Sequence, residues 1–592
     1  MAKADEKPTP TADPVEIGRQ WVSMIEKSQT AFFTMLSQGN AGAAAVPATI
    51  ARDALESFTR LSANLLADPV KLGEAQLQFW RRHGDLLQSM ITPKADDPAD
   101  GKKPRDRRFR NEEWEKNPAL NALMRSYFIG AEWLRALVEQ ANLEPAARRK
   151  AAFFTEQLID ASAPTNFALT NPDVVKKAID TGGASLIQGY ANFLDDIVKD
   201  AGHVRRADGE AFELGVNIAA TKGSVVLRTD MMELIQYEPT TETVTDVPLL
   251  LTPPWVNKYY LFDLQQKSSF IKWAVDQGFT VFAISWVNPD ASHADKDFAD
   301  YWLDGPMAAF AAIEQATGQK KVNIFSYCLG GTLTATGLAY LAAKKDDRVA
   351  TATMVATMTD FTDFGEFEVF VTDDTVKQMK EQLADKGFVG DADLSRLFSL
   401  LRANDLIWSS AISSYLLADK AVASDLLYWF SDGIGMPAKM LDTFMRRVIL
   451  DNALAQAGAL EIAGTPIDLK AISTPLCFVS LKDDHVANWQ STYRGALRFD
   501  APKRFILGGS GHNAGTINPP AANKHGYWLN EAMPPDPDDW LRAATRHEGS
   551  WWGEWSEWVK AKSGTDVAAR LVAGGPLKVL EAAPGSYARV RR

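Results

Sequence analysis

Apolar residues return every three or four positions from about residue 15 to 91, as in "WVSMIEKSQTAFFTML" and "ALESFTRLSANLL". That is the spacing of helices with one buried face. The stretch "TPKADDPADGKKPRDRR" interrupts it. Its proline, aspartate and lysine content predicts a solvated linker over about 92–106. Helical periodicity resumes from about 113 to 200. Near Asp208 the texture changes to short runs rich in β-formers: "GSVVLRT", "MELIQYEP", "VPLLLTPPWV", "FTVFAISWV", "KVNIFSY" and "VATATMVATM". Helical segments such as "LQQKSSFIKWAVDQG" lie between them, and strands alternating with helices predict a parallel sheet covered on both faces. From about 360 to 460 the strand signal fades into Trp- and Leu-rich helical texture. It returns with "TPLCFVSL" and "KRFILGG". The expectation is a polar tail over 1–14 with no fixed structure, a helical N-terminal domain over 15–205, and an α/β domain over 206–592 carrying a helical cap inserted at about 360–460.

Composition narrows the function. A chain of 592 residues is too long for one hydrophobic core. A net charge of −12 argues against nucleic acid as the main partner, because phosphate binding needs a basic footprint. Two cysteines exclude a disulfide framework and a cysteine-based zinc site, and fit a reducing compartment. The opening "MAKADEKPTPTADPVE" has charges with no apolar core behind them, so no secretory signal is expected. No uninterrupted apolar run approaches 18 residues, so no membrane span is expected. Together these predict a cytosolic protein.

One of the two cysteines stands in "FSYCLGGTL", residues 325–333. A strand candidate precedes it and a helix candidate, "LTATGLAYLAA", follows. This is the context of a nucleophile elbow, G-x-S-x-G, with Cys328 at the nucleophile position and Ser326 in place of the first glycine. A helix N-terminus beside Cys328 favours its thiolate. Cys477, in "TPLCFVSL", has no such context and reads as a packed strand residue. A thiol nucleophile needs a base and an orienting carboxylate, which follow it on this scaffold in the order acid, then histidine. Of the seven histidines, His83, His203 and His293 precede Cys328; His485, His512, His525 and His547 follow it. His512 follows a strand and a glycine-rich loop, where the base belongs. His525 and His547 lie beyond that strand, in loop or helix texture. Asp483 and Asp484 end the preceding strand, where the acid belongs. The predicted constellation is Cys328, Asp484 and His512, on an α/β-hydrolase fold with a helical cap. His485 either supports the triad or hydrogen-bonds a substrate carbonyl. The backbone N–H groups of Leu329 and of Val256 are the candidate oxyanion donors. The Pro253–Pro254 pair before Val256 either holds that loop rigid or merely ends a strand.

The residues also resemble a known family. "SYCLGGT", "PPWVNKYY", "SWVNPD", "KDDHVANW" and "GGSGHNAGTINPP" are similar to successive motifs of class I polyhydroxyalkanoate synthases. So are "DRRF" with Trp114 and the Asn-Pro at 117–118, "SAPTNFALTNP" at 162–172, "LLRANDLIW" at 400–408 and "GSWWGEW" at 549–555. The resemblance covers residue 106 to the C-terminus. It departs at Ser326, at Trp255 where the family often has cysteine, at Ala487–Trp489 and at Phe430. The resemblance implies an acyltransferase that polymerises (R)-3-hydroxyacyl-CoA into polyester and releases CoA. It assigns Cys328 as the acylated nucleophile, His512 as its base and Asp484 as the third member. It implies no cofactor beyond the CoA thioester that is the substrate, no metal, and a homodimer at the surface of cytoplasmic polymer granules.

Some features keep two readings. A thioesterase or cysteine esterase shares the triad, and a granule-coat protein with a degenerate site is a non-enzymatic rival. Trp408, Tyr428 and Trp429 of the cap either line an apolar passage or pack its core. "SWWGEWSEW" reads as core packing against the sheet before polymer binding. The N-terminal helices need a surface for their apolar faces, whether the catalytic domain, another subunit or polymer.

Overall fold

The computed structural model describes residues 45–91, 106–199, 208–391, 394, 404–420 and 423–591. The expected polar tail, the first predicted helices, nearly all of the 92–106 linker and His203 lie outside the described residues. The chain divides into two compact units, one of residues 1–205 with 402–421, the other of 206–401 with 422–592.

The first unit is helical. Long helices span Ala45–Ala67, Pro69–Ile91, Pro118–Gln140, Pro145–Ala161 and Ala184–Lys199. Two starts follow from Asn-Pro dipeptides. Asn117 accepts from the N–H groups of Ala119 and Leu120 and Asn171 from those of Asp173 and Val174, each with a proline at the first helical position. Phe109 and Trp114 meet edge to face at 4.9 Å in a core with Met124, Tyr127 and Ile159. Arg108 ties that core together, donating to Asp106 (2.7 Å), the Tyr127 hydroxyl (3.0 Å) and Asn404 Oδ1 (3.0 Å). Residues 404–420, which the sequence pattern places in the cap, are thus built into this unit. The Tyr415 hydroxyl donates to Asp196 (2.9 Å), Asn192 Nδ2 donates to the Ser414 carbonyl (3.0 Å), and the Tyr415 ring meets Phe193 edge to face. Trp408, expected as a cap aromatic, belongs to this unit as well.

The second unit is organised by an eleven-stranded sheet. In chain order its strands are β1 (Gly223–Arg228), β2 (Met232–Tyr237), β3 (Leu249–Thr252), β4 (Val281–Trp286), β5 (Val322–Tyr327), β6 (Val349–Val355), β7 (Leu476–Leu481), β8 (Lys503–Gly508), β9 (Tyr527–Leu529), β10 (Thr545–His547) and β11 (Glu581–Ala582). They lie in the order β10-β9-β8-β7-β6-β5-β3-β4-β2-β1-β11. The strands from β4 across to β8 are parallel; β2 and β9 join them antiparallel. The central strands β3, β4, β5 and β7 are buried along their whole length because both faces are covered. Alternate residues serve different cores. Leu250, Phe282 and Ile324 pack on one face, while Leu249, Leu251, Ala283 and Phe325 pack on the other.

The α/β-hydrolase fold with a helical insertion is therefore present. The insertion leaves after β6 and returns at β7, with helices at Asp373–Leu383, Asp425–Phe430 and Ala438–Thr443. Tyr428 and Trp429 are buried in the core shared with β3 and β5. Trp551, Trp552 and Trp555 are fully buried under the sheet, with the Trp555 indole donating to Thr353 Oγ1 at 2.8 Å. Cys477 is buried in β7, and burial pushes its thiol up to about 12.

Candidate active site

Cys328 sits between the end of β5 and a helix over Leu329–Ala343. Its φ of 51° and ψ of −123° lie in a region that a residue with a side chain rarely adopts. Such a conformation costs about 1–3 kcal/mol and persists only when neighbours over-determine it. Here they do. The Cys328 N–H donates to the Val355 carbonyl of β6 (2.8 Å), and the Cys328 carbonyl accepts from the Gly331 N–H (2.9 Å) and Thr357 Oγ1 (3.3 Å). The glycines after it are required by close approach: a Cβ on Gly330 would overlap the carbonyl oxygens of Thr252 and Pro253, and one on Gly331 the Thr357 side chain. Ser326 fits where glycine is common because its hydroxyl donates to the Thr353 carbonyl at 2.7 Å inside the sheet.

Asp484 and His512 come from the loops after β7 and β8. Asp484 Oδ1 accepts from the N–H groups of Val486 (2.8 Å) and Ala487 (2.9 Å), which fixes the carboxylate. Its Oδ2 lies 2.7 Å from His512 Nδ1. A carboxylate only accepts, so Nδ1 carries the proton and Nε2 is the nitrogen left for chemistry. Asp483 is exposed, and its backbone N–H donates to the Ser510 carbonyl (3.0 Å). Burial by itself lowers the His512 pKa, but the Asp484 carboxylate and the Cys328 sulfur outweigh it and raise it to about 10. The structure thus brings the sulfur, the imidazole and the carboxylate predicted from chain order into one interacting set.

The other candidates surround this set. Leu329 is the first residue of its helix, where an N–H has no carbonyl one turn earlier to meet. Val256 follows β3 in the loop whose Thr252 and Pro253 carbonyls crowd Gly330. β3 ends at Thr252, just before the Pro pair, and the Pro253 carbonyl accepts from the Trp286 indole N–H at 2.9 Å. His485 is half-buried in the turn that carries Asp484. Of the remaining downstream histidines, His525 is exposed. His547 lies in β10, not in loop or helix, and stacks on Tyr527 at 5.0 Å.

Several supports of the site have no local sequence signal. The Tyr327 ring packs 5.0 Å from the His512 imidazole. The Trp551 and Trp552 indoles donate to the carbonyls of Gly515 (2.9 Å) and Thr516 (3.0 Å), in the short helix that begins at His512. Lys258, two residues after Val256, forms a buried pair with Asp432. Among the described residues no group of three or more His, Cys, Asp or Glu side chains could hold a metal ion, and no helix is long and apolar enough to cross a membrane.

Comparison with known proteins agrees with this architecture. Residues 105–274 match the family model described as the N-terminus of poly-beta-hydroxybutyrate polymerase (PhaC), and residues 262–519 match the alpha/beta hydrolase fold. A poly(3-hydroxyalkanoate) polymerase subunit PhaC from Rhizobium meliloti (strain 1021) is 40% identical over 91% of this chain and 89% of its own. A poly(3-hydroxyalkanoate) polymerase from Methylorubrum extorquens is 38% identical over 90% and 89%. The PhaC subunit of Cupriavidus necator H16 is 36% identical over 88% and 89%. Among solved structures, a hydrolase from Pseudomonas aeruginosa PA01 covers 50% of this chain and 94% of its own, with a TM-score of 0.31 and 14% identity. With extended identity to these relatives across both units, the chain belongs to the poly(3-hydroxyalkanoate) polymerases, acyltransferases built on the α/β-hydrolase fold.

Proposed function

We propose that the protein polymerises (R)-3-hydroxyacyl-CoA, with 3-hydroxybutyryl-CoA as the expected monomer, through an acyl-cysteine at Cys328, and that it releases free CoA. The observation that carries this reading is the Cys328–His512–Asp484 set on a strained elbow in a chain of this family. His512, protonated in the resting site, pairs with the Cys328 thiolate, and that thiolate attacks the thioester carbonyl. The Leu329 and Val256 N–H groups stabilise the resulting oxyanion, a contribution of about 10²–10³ in rate per donor. Collapse expels the CoA thiolate, which takes the proton from His512. The 3-hydroxyl of the next monomer then gives its proton to His512 and attacks the acyl-cysteine carbonyl. An ester bond forms, the C–S bond to Cys328 breaks, and the thiolate is restored beside the protonated His512.

Cysteine suits this sequence. Exchange between two thioesters is nearly isoenergetic, so the chain is held without losing its activation. Water is the competing acceptor, and the helical cap serves to exclude it. No cofactor is needed beyond the CoA thioester. His485 fits a supporting or carbonyl-binding role. On the same reading the enzyme is a homodimer at the surface of cytoplasmic granules. The helical unit offers apolar side chains for such contacts, with Ile179 and Ile187 about three-quarters exposed.

The test is purified protein with 3-hydroxybutyryl-CoA, following free thiol and insoluble polyester together. Both should rise in step, and both should vanish in Cys328→Ala. Free 3-hydroxybutyrate as the sole product would make the protein a thioesterase instead, and unchanged CoA release in Cys328→Ala would refute the acyl-cysteine.

A further inference from the structure

The loop that carries Val256 is tied to one short piece of the inserted segment. The Val256 carbonyl accepts from the Ile434 N–H (3.0 Å), and Asn257 forms an antiparallel bridge with Gly433. The Lys258 carbonyl accepts from the Trp429 indole N–H (2.7 Å). Between these ties lies an ion pair. Lys258 Nζ donates to Asp432 Oδ1 at 2.6 Å, and both side chains are 1% exposed. The pair is closed by further partners. Lys258 Nζ also donates to the Val590 carbonyl (2.9 Å), the buried Tyr260 hydroxyl donates to Asp432 Oδ2 (2.7 Å), and the largely exposed Arg591 reaches Asp432 Oδ1 at 3.4 Å.

Desolvation of a buried lysine and aspartate offsets most of their mutual attraction, so such a pair adds little net stability. What it enforces is geometry: each charge is tolerated only while the other stays in place. Burial pulls the Lys258 pKa down, and the adjacent Asp432 carboxylate opposes it. The site where this constraint acts is two residues from a backbone N–H whose position decides transition-state stabilisation.

We propose that Lys258 and Asp432 are positioning residues that clamp the 428–434 segment onto the 253–258 loop and thereby hold the Val256 N–H where the oxyanion forms. Formation of the cap and completion of the oxyanion site are then one event. This rests on the reading of Val256 as an oxyanion donor.

The test compares two reactions of Cys328 in the full-length protein. Acylation by 3-hydroxybutyryl-CoA, read as single-turnover CoA release, needs an oxyanion site. Alkylation by iodoacetamide needs only the thiolate, and Cys477 is too buried to contribute. In Asp432→Asn and Lys258→Met the acylation rate at saturating substrate should fall roughly 10- to 100-fold, short of losing a donor outright. KM and the alkylation rate should stay near those of the parent. If a single variant does not fold, the double variant Lys258→Met/Asp432→Leu, which removes both buried charges, is read the same way. Acylation and alkylation falling together would show a merely structural pair and overturn the proposal, as would acylation that does not fall. Failure of the acyl-cysteine reading itself looks different: the parent protein would release no CoA, or Cys328→Ala would release it at the parent rate.

Discussion

The Tyr327 ring lies 5.0 Å from the His512 imidazole, tilted by 41°, while its hydroxyl donates to Asn513 Oδ1 at 2.6 Å. The residue before the nucleophile thus braces both the base and the residue after the base. Tyr327→Phe keeps the ring and loses the hydrogen bond. It should cost about 1 kcal/mol and leave kcat nearly unchanged. Tyr327→Ala should cost about 3–5 kcal/mol and lower kcat sharply, because the imidazole loses its packing. Denaturant unfolding beside steady-state CoA release separates the two; equal kcat losses in both variants would place the function in the hydroxyl.

His512 makes stability depend on pH in a set direction. Its pKa rises from 6.5 to about 10 because Asp484 and Cys328 outweigh the opposing effect of burial. Between those values the folded chain holds a proton that the unfolded chain has released. The contribution is complete below about pH 6.5 and is lost as pH rises through about 10. Thermal melts from about pH 7 to 10 should show Tm falling, and Asp484→Asn should flatten that fall. A parallel slope in the variant would assign the effect to other groups.

The turn at Cys328 tolerates change on one side only. Gly330→Ala drives a methyl into the Thr252 and Pro253 carbonyls, which are backbone and yield only if the 253–258 loop moves. It should cost about 1–3 kcal/mol and reduce CoA release at least about tenfold. Ser326→Gly removes a buried hydrogen bond and adds chain entropy, for about 1–2 kcal/mol in all, with activity within about twofold. Melting curves and CoA release on the pair check both statements.

Trp552→Phe retains an aromatic ring against Phe270 and loses the N–H that holds the Thr516 carbonyl. The expected outcome is a loss of about 1–2 kcal/mol and a several-fold fall in kcat with KM unchanged, since His512 opens that same helix. A rise in KM alone would instead point to a role in substrate binding.

The strands legible in the sequence were those with four to seven residues and a run of β-forming apolar side chains, β5 and β7 being the clearest. Strands of two or three residues were not legible. β9 and β10 are too short to show a period, and β11 owes its pairing to Ser224 and Val225 at the other end of the unit. The same division holds at the site. Cys328, Asp484 and His512 stand at strand ends in a fixed order, so position in the chain carried the information. Lys258 and Asp432 are 174 residues apart, and nothing local in "NKYY" or "FSD" announces an ion pair. The exchange of residues 402–421 had no signal either, because helical texture is the same whichever core it packs against.

That exchange governs how the molecule can be taken apart. The polypeptide passes from one unit to the other at 205/206, at 401/402 and again at 421/422. A single cleavage near residue 205 leaves the halves joined by two peptide links. A fragment ending there retains Asn192 and Asp196 but forfeits Tyr415 and Ser414, their partners. Truncation at the apparent border therefore strips the helical unit of a piece and leaves that piece in the other fragment, so separation of the two units by deletion requires rejoining the chain across residues 401 and 422 as well.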